Sequence, residues 1–155
     1  MNTQIKIPEN QIDLINILFT QLEITYHNQF HKAFPDADSL KLAKQLWLQK
    51  ISPFRNEVIF NSVDHIMSTS EYLPSLSSVL KRCKELTLDA NGIPSLEKSF
   101  KEASVYSDDP SSHEWSHPLV YQTGKRTGWF FLKSESEKNA LKEFSKYFDL
   151  SIQDW

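Results

Sequence analysis

At 155 residues, 39% apolar and 24% charged, the chain is long and apolar enough to bury a core without disulfides or metal. Its net charge of −3 lacks the basic excess of a dedicated duplex-binding domain, and three glycines are too few for the turns of a sandwich or barrel. The single cysteine, Cys83, has no internal partner, no apolar run reaches membrane-span length, and the first residues lack the apolar segment of a signal peptide; a cytoplasmic location is expected.

Residues 1–7 read as a flexible N-terminal arm ahead of a single helical domain, 8–155. Pro8 suits a first helical turn, where its missing N–H costs nothing. Ile12, Ile15, Phe19, Leu22 and Tyr26 then alternate at spacings of three and four, which predicts one long helix to about Ala33. Phe34-Pro35 ends it. A second helix is expected over 39–51, with Leu40, Ala43, Leu46, Trp47 and Ile51 along its apolar stripe. A third runs over 56–69, with Ile59, Phe60, Val63, Ile66 and Met67.

Ser75 is a natural N-cap for a fourth helix that turns Leu76, Val79, Leu80 and Cys83 inward. A loop is expected over 87–92. A similar Pro-Ser-Leu start at 94–96 opens a fifth helix with Leu96, Phe100 and Ala103 buried. Residues 107–112 read as an exposed loop. Pro118 starts a sixth helix to about Thr127, and Gly128 supplies a left-handed C-terminal position. Trp129-Phe130-Phe131-Leu132 reads as a short strand or an extended buried link. Ser134 and Glu137 match a capping box for a seventh helix, with Leu141, Phe144, Tyr147 and Phe148 as its core stripe. The expected class is all-α: a compact bundle of about seven helices with one short extended segment near 129–132.

The chemistry of catalysis is sparse. Gly124-Lys125-Arg126-Thr127-Gly128 lacks the Gly-Lys-Ser/Thr ending of a phosphate loop, so no ATPase is expected. His27 and His31 share a helix face without a completing ligand. His113 and His117 flank Glu114 at ligand-like spacing, but with Pro118 next, His117 suits capping or packing better. Cys83 on an apolar face behaves as a small hydrophobe. No catalytic residue, metal or cofactor is expected; the chain reads as a binding protein.

Two cationic groups stand out: Lys81, Arg82 and Lys84, and Lys125 with Arg126. Either reads as a solvated helix face or as a contact for phosphate or an acidic partner. The second lies among Trp115, Tyr121 and Trp129, and aromatics beside arginine are enriched at interfaces and on single-strand binding surfaces. These eight residues are the partner-binding candidates.

Several motifs resemble, in order, the replication protein P family, the helicase loaders typified by that of phage lambda. Phe19 and Leu22 precede the Phe34-Pro35 break. Gln45-Leu46-Trp47 resembles the family's Gln-Trp helix, and Leu73-Pro74-Ser75 followed by Cys83-Lys84-Glu85 its Leu-Pro-Ser segment ending in Cys-Arg/Lys-Glu. Gly92-Ile93-Pro94-Ser95 resembles its link to the next helix. Trp115-Ser116-His117-Pro118-Leu119-Val120-Tyr121 and Thr127-Gly128-Trp129 resemble a block of shorter bacterial and prophage relatives. The resemblance implies an adaptor without its own ATPase that binds the hexameric replicative helicase and delivers it to an origin. It also implies an initiator protein and single-stranded DNA as further partners. This chain stops at Trp155, where longer members continue, which bears on ring opening. The competing readings are a small all-α nucleic-acid-binding regulator and a metalloenzyme built on His113, Glu114 and His117.

Overall fold

The computed structural model describes residues 5–155, so of the expected arm residues 1–4 lie outside the described residues. Among the described residues there are α-helices and one 3-10 turn, with no strand. In chain order the helices are α1 (Gln11–Thr25), α2 (His27–Ala33), α3 (Ala37–Ile51), α4 (Asn56–Thr69), α5 (Leu76–Ala90), α6 (Leu96–Val105), α7 (Pro118–Thr127), α8 (Trp129–Ser134) and α9 (Glu137–Asp154). The all-α class is as expected. Where the sequence suggests one domain, the contacts divide the chain into two compact units, Met1–Thr87 and Leu88–Trp155, with the division inside α5.

In the first unit α1 is the central helix and packs against α2, α3 and α4. Leu14, Ile15, Leu18, Phe19 and Leu22 are buried along it, whereas Ile12, placed on the core stripe by its spacing, is 58% exposed. The N-cap is Asn10, whose side chain accepts from Ile12 N at 2.7 Å, so the helix starts three residues beyond Pro8. The helix expected to continue to Ala33 breaks at Tyr26, which leaves helical geometry with ψ 34°. No proline or glycine causes the break. The Tyr26 ring is buried, and its hydroxyl donates to Ser70 O at 2.9 Å.

Phe19 sits at the centre of this unit, edge-on to Trp47 at 5.0 Å and to Phe30 at 6.2 Å. Burying such a side chain contributes roughly 1.5–3 kcal/mol. Helix α3 is capped by Asp36, which accepts from Ser39 N at 2.7 Å. That hydrogen bond holds the Asp36 carboxyl below its ordinary range. Trp47 and Ile51 of α3 are buried, but Leu46 is about half exposed.

Side-chain amides fasten the turns of this unit. Asn56 donates to Pro8 O at 3.0 Å and Glu9 O at 2.7 Å, and Gln11 donates to Ser52 O at 3.2 Å. Gln29 donates to Glu71 O and accepts from Leu73 N. Ile7, at the end of the expected arm, packs against the core. Helix α5 continues to Ala90, so most of the loop expected over 87–92 is helical; the turn comes only at Asn91-Gly92, where Gly92 has φ 65°.

The second unit is built on α9, which packs along α7 and against α6 and α8. Ala140, Phe144 and Phe148 form its buried stripe, and Phe144 meets Phe100 of α6 at 5.5 Å. Leu119 and Val120 of α7 are fully buried. Two expectations fail here. Residues 129–132 are neither strand nor extended link but the first turn of helix α8, with Leu132 buried and Phe130 74% exposed. The capping serine of α9 is Ser136, which accepts from Asn139 N at 3.3 Å, while Ser134 closes α8. The break at Tyr26 and the added α8 account for the helices beyond the seven expected.

Candidate functional site

The aromatic residues that stood out in the sequence converge in the second unit. The chain leaves α6 at Tyr106 and makes a 3-10 turn at Pro110–Ser112; Trp115 is then fixed by its indole N–H, which donates to Pro110 O at 2.8 Å. Helix α7 begins at Pro118 and carries Tyr121 one turn in. Gly128, with φ 101° and ψ 118°, occupies backbone space open only to glycine and joins α7 directly to α8. That reversal lays Trp129 back over α7.

The rings form one continuous cluster. Tyr106 stacks on His113 at 3.5 Å, His113 meets Trp115 at 4.7 Å, and Trp115 lies 5.8 Å from Tyr121 and 5.4 Å from Trp129. Tyr121 and Trp129 are 5.6 Å apart. Trp115, Tyr121 and Trp129 are half-buried and Tyr106 is exposed. Gly124 makes this possible: a Cβ there would lie closer than 3.0 Å to Cη2 and Cζ3 of the Trp129 indole. The indole occupies the space any other residue at position 124 would need.

Glu102 anchors the outer side of the cluster. Its Oε2 accepts from His113 Nε2 at 2.8 Å and from Ser116 N at 3.1 Å. An ionised carboxylate only accepts, so Nε2 of His113 carries the proton. Burial pushes the Glu102 carboxyl up, but the hydrogen bonds from His113 and Ser116 outweigh it and leave the group below its ordinary range. Nearby, an open groove of ≈ 750 Å³ is lined in part by Lys98, Lys101, Glu102 and Tyr106.

The cationic candidates do not all share this site. Lys125 is exposed on the last turn of α7. Arg126 is tied down: its Nη2 lies 2.6 Å from Asp154 Oδ2 and its Nη1 donates to Ser151 Oγ at 3.4 Å, which links the end of α7 to the end of α9. Lys81, Arg82 and Lys84 belong to the first unit, on α5. Lys81 and Lys84 are exposed, and Arg82 pairs with Glu85 at 3.2 Å.

The histidines are used separately. His117 caps α7, its Nδ1 accepting from Leu119 N at 3.1 Å, and its ring lies 4.5 Å from Trp155. His113 is turned away to Glu102, so the two do not meet around a common point. His27 and His31 are ring neighbours at 4.7 Å, and His31 reaches Glu23 at 3.3 Å. Among the described residues no three His, Cys, Asp or Glu side chains are grouped as a metal ion would require. Cys83 is fully buried in the first unit, where burial raises its thiol pKa against the lowering effect of Ser62.

Glu102, Tyr106 and Gly124 did not stand out as site residues in the sequence. Glu102 lies 11 and 14 positions from its partners, a separation that leaves no periodic trace. Gly124 did leave a signal, since a glycine within a predicted helix often marks a close approach.

No helix among the described residues is long and apolar enough to cross a membrane. No curated protein and no solved structure matches the chain. The family model described as replication protein P, of the phage lambda type, matches residues 13–149. That span takes in helices from both units and the whole aromatic cluster, and the chain belongs to the replication protein P family.

Proposed function

We propose that this replication protein is an adaptor for the hexameric replicative helicase, which it binds and helps place on DNA during initiation. The observation that carries the reading is the family match over residues 13–149, which spans nearly the entire chain. The protein does this without an ATPase of its own; the adaptor contributes binding energy, and the helicase contributes nucleotide chemistry. An origin initiator and single-stranded DNA are the further partners of this reading, and the cytoplasm is where it operates.

We propose separate contact residues in each unit: in the second, the accessible edges of Trp115, Tyr121 and Trp129 with Lys125 and Arg126; in the first, Lys81, Arg82 and Lys84 on α5. Half-buried aromatic rings held by their neighbours lose little freedom on binding, which favours them as anchors. The exposed lysines suit phosphate or carboxylate partners. The test is co-elution of the purified protein with the replicative helicase hexamer on a sizing column at low and moderate salt. A stable complex is expected, and separate elution at both salt levels overturns the reading.

A further inference from the structure

The second unit carries a second depression, separate in its lining from the aromatic cluster. It lies between α6, α8 and the start of α9 and has a volume of ≈ 490 Å³. Its floor is apolar: Phe100 of α6, Leu132 of α8 and Leu141 of α9, with Val105 standing 60% exposed at one end. Its rim carries Glu97, Glu135 and Glu137 against one cation, Lys101. Along α6 the lining residues recur at helical spacing, Glu97, Phe100, Lys101 and Ser104, so one face of that helix forms one wall.

Helix dipoles explain part of this acidity. Glu97 and Glu137 lie in the first turns of α6 and α9, where a carboxylate is favoured. Glu135, just before the cap of α9, accepts from Asn139 Nδ2 at 3.2 Å, and the exposed Val105 has no such explanation.

We infer that this groove docks a basic amphipathic helical segment of a protein partner. Bulky apolar side chains of the segment fill the space over Phe100, Leu132 and Leu141. Lysines or arginines flanking them meet Glu97, Glu135 and Glu137. The apolar floor supplies affinity and the three carboxylates select a cationic segment over an acidic one, the division of labour usual for a helix seated in a groove. This inference does not rest on the helicase reading, and its test contains no helicase.

The probe is a labelled amphipathic peptide of lysine and leucine, compared with the glutamate–leucine peptide of the same pattern. Binding to the full chain is followed by fluorescence anisotropy and located by amide chemical-shift changes. The lysine–leucine peptide is expected to bind with shifts centred on α6, α8 and the start of α9. Glu97→Lys with Glu135→Lys, both at exposed positions, is expected to weaken it by at least about tenfold and to admit the glutamate–leucine peptide instead. Val105→Ser, at a position that packs little, is expected to weaken the lysine–leucine peptide without changing that preference. Equal binding of both peptides to the unaltered protein, shifts centred elsewhere, or no effect of the double charge reversal overturns the inference.

Discussion

Gly124→Ala puts the packing of the aromatic cluster to a quantitative test. In an isolated helix the change stabilises by about 1 kcal/mol, because alanine has the better helix propensity. Here the added methyl collides with the Trp129 indole, which cannot swing aside without parting from Trp115 and Tyr121. Overpacking of this kind costs about 1–3 kcal/mol, so the net effect runs from near zero to a loss of about 2 kcal/mol. The sign reverses if the indole is removed. In a Trp129→Ala background, Gly124→Ala is expected to stabilise by about 1 kcal/mol. The double-mutant cycle therefore carries a coupling of at least about 1 kcal/mol. Urea unfolding followed by tryptophan fluorescence measures it, since Trp115, Trp129 and Trp155 lie in the second unit and only Trp47 in the first. A coupling within about 0.5 kcal/mol of zero would refute the packing argument.

Three further outcomes follow from other parts of the molecule. Because the Glu102 carboxyl is held below its ordinary range, the stability it supplies is full above the unfolded carboxylate value and is lost as pH falls through the lower folded value. Glu102→Gln is accordingly less stable near neutrality, and the gap closes in acid; a gap constant with pH in urea titrations rejects this. Cys83 reacts with a thiol reagent only through opening of the first unit, so its labelling should accelerate in parallel with unfolding by urea, and rapid labelling of the native protein would contradict its burial. Ser136→Ala should cost about 1 kcal/mol in thermal or urea unfolding, whereas Ser134→Ala should cost clearly less; equal losses would mean that α9 has no single capping serine.

The sequence made the helical class legible because its punctuation is strong. Asn56, Ser75, Ser95 and Pro118 stand where helices start, and the apolar periodicity between them points inward at Ile59, Val63, Phe100 and Phe144. What it hid has physical causes. The break at Tyr26 comes from a tertiary contact, the phenol on Ser70, and not from a breaker residue. Trp129 to Leu132 carries the bulky aromatics of a strand, yet β-propensity mainly reports how a side chain packs, and here the packing partner is Gly124 of the preceding helix. The capping-box pattern points to Ser134 with Glu137, but Ser134 is still in α8, and the chain turns into α9 only at Ser136.

The same distinction applies to the candidate residues. Their closeness in sequence to Lys125 and Arg126 pointed to Trp115, Tyr121 and Trp129, and these do meet. Arg126 illustrates what local sequence leaves out: its closest charge, Asp154, is 28 positions away and reaches it only because α7 and α9 run side by side. The acidic groove is less visible still, because Glu97 comes from one place in the chain and Glu135 and Glu137 from another, and each looks like an ordinary residue at a helix end.

Loss of the Asn56 amide would be felt well beyond its own side chain. Its nitrogen is the donor that holds the carbonyls of Pro8 and Glu9. Hydrolysis to aspartate replaces that donor with an ionised group that can only accept, leaving three oxygens facing one another where two hydrogen bonds had been. The change adds one mass unit and one negative charge, too little to notice by size. It would nevertheless release the segment leading into α1, so an Asn56→Asp variant should unfold faster than the parent protein.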